Sequence, residues 1–155
     1  MSKIIVLLFL TFFMPIKIFS FEKDLEHYFD LGLKSFKRGK FNRAVDYFNK
    51  ALEYSPCSTS IFFNLALSYE RLGSINDSIN IYLKILEIDS RNLKAILAFG
   101  NLLLKEKQYE EAIKIFDKAP SSYDANLGCA IAFRNLNCLE ESINKYKKAL
   151  GLKST

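Results

Sequence analysis

Four segments of the chain repeat one short pattern at a nearly constant interval. In each of them a small residue stands four positions before an aromatic one. The four pairs are Ala44 and Phe48, Ser78 and Tyr82, Ala112 and Phe116, and Ser142 and Tyr146. The intervals between successive small residues are 34, 34 and 30 positions. A period of this length is typical of stacked two-helix repeats, each of which hides its apolar face against its neighbours. The sequence therefore predicts an all-α solenoid of about four helical hairpins.

The first repeat shows why each unit is expected to contain two helices. Apolar and small residues recur at three-to-four spacing from Leu25 to Phe36, which is the pattern of one helical face, and Gly39 then favours an end to that helix. A second stripe begins at Ala44, and Pro56 stops it. The pattern predicts two amphipathic helices joined by a short turn.

Small residues are also placed where the two helices of the first hairpin would meet. Gly32 and Ala44 would let the helices approach closely, and the ring of Phe48 would fill the space one turn further on. Small side chains beside large ones are a common way to reach close packing.

The repeat resembles the tetratricopeptide family, whose motif runs W-x-x-L-G-x-x-Y and then Ala, a large aromatic residue, Ala and Pro over 34 residues. The first repeat matches it at Tyr28, Leu31, Gly32, Ala44, Phe48, Ala51 and Pro56. The second and third repeats match at similar positions, and the fourth matches most loosely. The resemblance covers residues 23–152 and implies a right-handed superhelix. Its hairpins are expected at about 25–58, 59–92, 93–122 and 123–152.

The shorter third interval has a local explanation. Pro120 lacks an N–H group and disfavours helix at the residue before it, so the second helix of the third repeat should end about a turn early. Ser121 and Ser122 are then expected to form a turn or cap before a helix that starts near Tyr123.

Residues 1–20 have the layout of a secretory signal peptide. Lys3 follows the start, Ile4 to Phe13 is an apolar run broken only by Thr11, and Ser20 is a small residue at a suitable processing position. The run is shorter than a typical membrane span. The pattern predicts an exported protein of the periplasm or cell envelope of a bacterium, with an uncleaved membrane anchor as the alternative.

The charge of the chain does not favour nucleic acid as a partner. The formal net charge is +5, and it falls to about +3 without the two lysines of the leader. The basic residues are spread along the chain with no run of five or six like charges. Half of the residues are apolar and a quarter are charged, which is typical neither of a disordered chain nor of a membrane-embedded one.

The sequence offers no catalytic, cofactor or metal site. The single histidine, His27, has no nucleophile or carboxylate that can be assigned to it, and the six glycines are scattered without a phosphate-binding loop. Cys57, Cys129 and Cys138 lack the short spacings of tetrahedral metal sites and are expected to be packing residues. We therefore predict a non-enzymatic protein without a cofactor.

The resemblance implies that the first helix of each hairpin lines a groove that binds a partner. The implied groove residues are Phe29, Leu33, Phe36, Phe63, Asn64, Leu67, Arg71, Lys94, Leu97 and Asn101. Some relatives hold a terminal carboxylate with Lys, Asn and Arg, but only Asn64 and Lys94 match that set here. The apolar character of the strip instead suits an extended peptide or an amphipathic helix of another protein. The alternative is that some of these side chains pack between adjacent hairpins.

The last predicted helix carries a second exposed stripe. Leu139, Ile143, Tyr146 and Leu150 share one face, part of which no following repeat would cover. This face is expected to contact another copy of the chain or another protein. The sequence thus predicts an interaction scaffold or adaptor of the cell envelope, with a self-associating or membrane-anchored assembly subunit as the alternative.

Overall fold

The computed structural model describes the backbone of residues 14–153 and the side chains of residues 21–153. Over that range the chain forms eight α-helices and no strand. Their bounds are α1 Met14–Lys37, α2 Phe41–Tyr54, α3 Thr59–Leu72, α4 Ile75–Ile88, α5 Leu93–Lys105, α6 Tyr109–Phe116, α7 Tyr123–Asn135 and α8 Leu139–Lys153. The predicted leader falls on residues 1–20, of which 1–13 lie outside the described residues. The all-α prediction is confirmed.

The helices belong to two compact units, and the boundary lies within α4 between Ile81 and Tyr82. In the first unit α1 packs on α2 and α2 packs on α3. In the second unit α5 packs on α6 and α7, α6 packs on α7, and α7 packs on α8. Each unit therefore buries its own set of amphipathic helices.

The turn inside every hairpin uses the same backbone geometry. One residue in each turn has a positive φ angle, and these residues are Gly39, Gly73, Lys107 and Asn137. The N–H of the following residue donates to the carbonyl five positions back, as Lys40 does to Ser35 at 2.9 Å. This bond is the Schellman arrangement that ends a helix. The recurrence of the turn explains how four different sequences start the second helix at the same position of the repeat.

Side-chain caps start the first helix of three hairpins. The Oγ atoms of Ser58 and Ser122 accept from the backbone N–H groups of Ile61 and Ala125 at 3.4 and 3.3 Å. Asn92 accepts from Ala95 at 3.1 Å in the same way. Each cap satisfies a backbone donor that the first turn of a helix leaves without a partner.

The small-plus-aromatic pattern forms the core of each unit. Ala44 and Phe48 are fully buried in the first unit, and Ala112 and Phe116 are 0 and 1% exposed in the second. The ring of Phe48 lies where a Cβ atom on Gly32 would stand. The close packing predicted for the first hairpin is therefore confirmed.

The third repeat has the short second helix that Pro120 predicts. Helix α6 has 8 residues, whereas α2 and α4 have 14 each. The side chain of Ser122 caps α7, which begins at Tyr123 as expected. Asn126 reinforces the turn, because its Nδ2 atom donates to the carbonyls of Pro120 and Ser122 at 2.9 and 2.7 Å.

Candidate functional site

The predicted groove residues of the first unit differ in how much surface they offer. Phe36 packs edge-on against Phe41, with ring centroids 5.3 Å apart. Phe63 is buried, whereas Leu33 and Leu67 are half-buried and Arg71 is exposed. The positions that can touch a partner are therefore Phe29, Leu33, Phe36, Leu67 and Arg71, of which all but Arg71 are half-buried. The assignment of these residues to a groove stays a prediction.

One of the two amide N–H groups of Asn64 is already in use. Its Nδ2 atom donates to the backbone carbonyl of Ser60 at 2.8 Å, one turn earlier on α3. A carboxylate ligand only accepts hydrogen bonds, so it could bind the second N–H group of this amide. Asn64 can therefore offer a single N–H group to a partner.

A cleft between α1 and the start of α3 collects several of the half-buried side chains of the first unit. Its volume is about 310 Å³. The residues that line this α1–α3 cleft are Glu22, Leu25, Glu26, Phe29, Ser58, Ser60 and Ile61. Of the predicted site residues only Phe29 is among them. The ring of Phe29 also packs against that of Phe48, with ring centroids 5.9 Å apart, so the core of the hairpin fixes the position of Phe29 in the cleft.

The cleft combines an apolar lining with an acidic rim. Leu25 and Phe29 are half-buried and Ile61 is buried, so they present hydrocarbon to a bound group. Glu22 and Glu26 are exposed and stand one turn apart on α1. The arrangement can hold an apolar side chain next to a positive charge.

The family resemblance also places Glu26 and Ser60 on the groove side of their helices, but sequence reasoning missed the other four residues of the cleft. Glu22, Ser58 and Ile61 were assigned no role in a groove, and Leu25 was assigned to the packed stripe of its helix. Ser58 was recognisable as a cap, since it precedes the apolar start of α3. No sequence signal shows which half-buried positions a neighbouring helix leaves uncovered.

The remaining predicted groove residues lie on α5 in the second unit. Lys94 and Asn101 are exposed, and Leu97 is half-buried. They recur at intervals of three and four, so they follow one face of that helix. Their assignment to a partner-binding surface stays a prediction.

The second unit contains a cavity that is larger and more polar than the α1–α3 cleft. It has a volume of about 620 Å³ and is lined by Arg91, Leu93 and the six residues from Asp117 to Ser122. Asp117 is already engaged, since its Oδ1 atom accepts from the ammonium group of Lys145. Charges of both signs meet at this cavity, and no single ligand chemistry stands out.

Asp117 also anchors the buried thiol of Cys129. The Sγ atom lies 3.6 Å from the Oδ1 atom of Asp117 and 4.0 Å from the carbonyl of Ile113. Burial raises the pKa of the Cys129 thiol to about 12, and the charge of Asp117 adds to the rise. The thiol is therefore a protonated packing group in the folded chain.

We expect Cys129 to resist alkylation, whereas the exposed Cys57 reacts freely. Since the thiolate is the nucleophile, the rise of the Cys129 pKa from 9.0 to about 12 lowers its thiolate fraction on the order of a thousandfold at pH 8. The pKa of Cys129 is higher in the folded chain than in the unfolded chain. At a pH below the unfolded pKa the thiol is protonated in both states and does not weaken the fold. The free energy of unfolding should then fall as pH rises from about 9 towards 12.

Mass spectrometry after timed maleimide labelling at pH 8 measures the rate at each cysteine. A Cys57→Ser variant leaves Cys129 and the half-buried Cys138 as the remaining thiols. Denaturant serves as the positive control, because unfolding should make all cysteines react alike. Equal rates for Cys57 and Cys129 in the native chain would contradict the assignment.

The single histidine and the side chains that could bind a metal can be placed within residues 21–153. His27 is exposed, and its ring lies edge-on to Tyr28 with centroids 5.5 Å apart. Across the same residues no three His, Cys, Asp or Glu side chains gather closely enough to hold a metal ion. None of the helices described has both the length and the apolar character that crossing a bilayer requires.

The fold and the repeat define a class of helical-repeat interaction protein, and comparison with known proteins identifies the family. The family model described as "Tetratricopeptide repeat" matches residues 26–56, 59–92 and 93–121, which together exceed half of the chain. The chain belongs to the tetratricopeptide repeat family. Proteins of this family generally mediate protein–protein interactions, and their repeats are typically non-catalytic scaffolds.

Similar proteins come from distant organisms. The chain is 28% identical over 116 residues to the Hsp70-Hsp90 organizing protein of Triticum aestivum, covering 68% of this chain and 20% of that protein. It is 34% identical over 85 residues to the type IV pilus assembly protein PilF of Pseudomonas aeruginosa, covering 55% and 34%. The chain therefore spans only a fifth to a third of these relatives.

Solved structures support the same fold. The structure of MamA from Desulfovibrio magneticus RS-1 superposes with a TM-score of 0.73, covering 83% of this chain and 75% of that one. The two sequences are 21% identical in that comparison. The likeness extends the tetratricopeptide fold beyond the three repeats that the family model matches.

Proposed function

We propose that the chain is a non-enzymatic adaptor that binds a peptide or an amphipathic helix of another protein. The α1–α3 cleft is the part of the predicted groove that best supports this function. It places the apolar groups of Leu25, Phe29 and Ile61 beside two exposed carboxylates. The favoured occupant is a segment with a large apolar residue next to Lys or Arg.

The charge pattern of the cleft is the observation that carries this proposal. Glu22 and Glu26 have neither a hydrogen bond nor an ion pair recorded within residues 21–153, so their charges remain available at the rim. A cation there would gain from both carboxylates, and the apolar lining would take up the adjoining side chain. Surface attraction of this kind weakens as salt screens it.

The experiment selects peptides from a random library displayed on phage, with the 155-residue chain as bait. Fluorescence anisotropy then measures the affinity of the selected sequences. We expect enrichment of an apolar residue adjacent to Lys or Arg, and a Glu26→Lys change should weaken binding about tenfold or more, because it replaces attraction by repulsion. Glu53→Lys is the matched control, since Glu53 is also exposed but lies on α2 outside the cleft.

A blocking variant separates the cleft from a general charge effect. Ser60 is exposed at the mouth of the cleft, so Ser60→Phe should fill it and remove peptide binding without disturbing the core. Circular dichroism checks that helicity is kept. Selection of acidic peptides, or binding that neither Glu26→Lys nor Ser60→Phe changes, would contradict the proposal.

We also propose that the adaptor acts in a bacterial cell envelope. This part of the proposal depends on the signal-like pattern of residues 1–20, and the similarity to a Pseudomonas aeruginosa protein named for pilus assembly favours it. An uncleaved leader would tether the adaptor to the membrane instead. The mass of the mature chain distinguishes a free protein from a tethered one.

A further inference from the structure

Helix α8 carries an apolar stripe that the rest of the second unit leaves in contact with solvent. Leu139, Ile143 and Leu150 are 58, 53 and 63% exposed. Tyr146 lies on the same face and is half-buried. The spacings of 4, 3 and 4 positions are those of a helix that packs along another helix.

The corresponding face is covered in the earlier hairpins of both units. Phe41 and Val45 occupy the matching positions of α2, which packs on α3, and both are partly buried. Tyr109 and Ile113 occupy them on α6, which packs on α7. Among residues 14–153, α8 has a substantial contact only with α7. Within residues 14–153 this face of α8 therefore stays largely exposed.

The charges beside the stripe indicate which helix that is. Glu140 and Lys147 are both exposed, and they stand seven positions apart along the same side of the stripe. Suppose that a second α8 lies antiparallel, so that Leu139 of one copy is level with Leu150 of the other and Ile143 is level with Tyr146. Glu140 of one copy then lies within about two residues, or 3 Å along the helix axis, of Lys147 of the other. In a parallel pair about a twofold axis, Glu140 and its counterpart would lie on opposite sides of the seam, so neither would face Lys147 of the other copy.

We infer that this face of α8 docks onto the same face of a second copy of the chain, antiparallel and about a twofold axis. The axis passes level with the midpoint between Asn144 and Lys145. The contact is isologous, so each charge pair occurs twice. A single pair of helices is smaller than a standard interface of about 800 Å² per partner, and the dimer is therefore concentration-dependent and weak, with dissociation in the micromolar range.

Sedimentation velocity of the 155-residue chain tests the contact over a concentration series reaching about 200 µM, well above a micromolar dissociation constant. The expected result is a reversible monomer–dimer equilibrium that Ile143→Asp converts to monomer. Since Ile143 is more than half exposed, the change should leave helicity intact, which circular dichroism checks. Leu83→Asp is the matched control, because Leu83 is 43% exposed on α4 and should not affect dimerisation.

Reversal of the flanking charges tests the antiparallel arrangement. Glu140→Lys and Lys147→Glu, made separately, should each weaken the dimer about tenfold, since each creates two repulsive pairs. The double variant restores both pairs and should regain most of the affinity. These effects should shrink at high salt.

Three outcomes would overturn the inference. The first is a monomer over the whole concentration series, and the second is a dimer that survives Ile143→Asp, which would assign association to another surface such as the leader. The third is loss of the dimer in both single charge variants without recovery in the double variant. Because α8 is remote in sequence from the α1–α3 cleft, none of these outcomes depends on whether the cleft binds peptides.

Discussion

Replacing Phe116 by alanine should lower the free energy of unfolding of the second unit by about 3–5 kcal/mol. The ring is 1% exposed and comes from α6. It lies against the backbone at Gly100 of α5 on one side and at Gly128 of α7 on the other, since a Cβ atom on either glycine would stand 2.4 Å from a ring carbon. Its removal would leave a cavity that three helices share.

Such a loss is large compared with the 5–15 kcal/mol that usually holds a whole domain folded. Urea denaturation followed by circular dichroism measures it. Tyr109→Ala is a suitable control, because Tyr109 is an aromatic residue of the same helix but is only half-buried, so its removal should cost clearly less. A Phe116→Ala chain as stable as the control would show that the ring is not the centre of this core.

The sequence predicted this core well because its contacts are periodic. An interval of 34 residues brings a small residue and an aromatic one back to the same place in each hairpin, so the sequence alone assigns Ala44 with Phe48 and Ala112 with Phe116 to the core. The early end of α6 was also predictable, since Pro120 acts on its immediate neighbours.

Other features depend on contacts that a periodic pattern does not encode. The link from Cys129 and Lys145 to Asp117 joins residues 12 and 28 positions apart, and it belongs to the second unit alone. Of the left-handed turn residues that are not glycines, Asn137 is a type that adopts positive φ more readily than most. Lys107 is not such a type, so its conformation follows from the hairpin geometry. The α1–α3 cleft exists because α3 leaves part of α1 uncovered, which only the packing reveals.

The glycines that face Phe116 should respond to substitution in the direction opposite to helix propensity. Alanine is the better helix former by about 1 kcal/mol, so propensity alone predicts that Gly100→Ala stabilises α5. The new Cβ would lie 2.4 Å from the Cε1 atom of Phe116, and the ring has little room to move because it also lies against Gly128. We expect the steric cost to exceed the gain and the variant to lose about 1–3 kcal/mol.

Gly151 provides the internal control for this argument, because it is also helical and a Cβ atom there would meet nothing within 4 Å. Gly151→Ala should therefore stabilise α8 by up to about 1 kcal/mol. Urea denaturation of the two variants should give shifts of opposite sign. In a Phe116→Leu background the smaller side chain removes the clash, and Gly100→Ala should then cost less than it does beside the intact ring. If Gly100→Ala instead stabilises the chain with Phe116 intact, α5 and α6 can move apart without a loss of stability. The close approach at Phe116 would then not be what holds the two helices together.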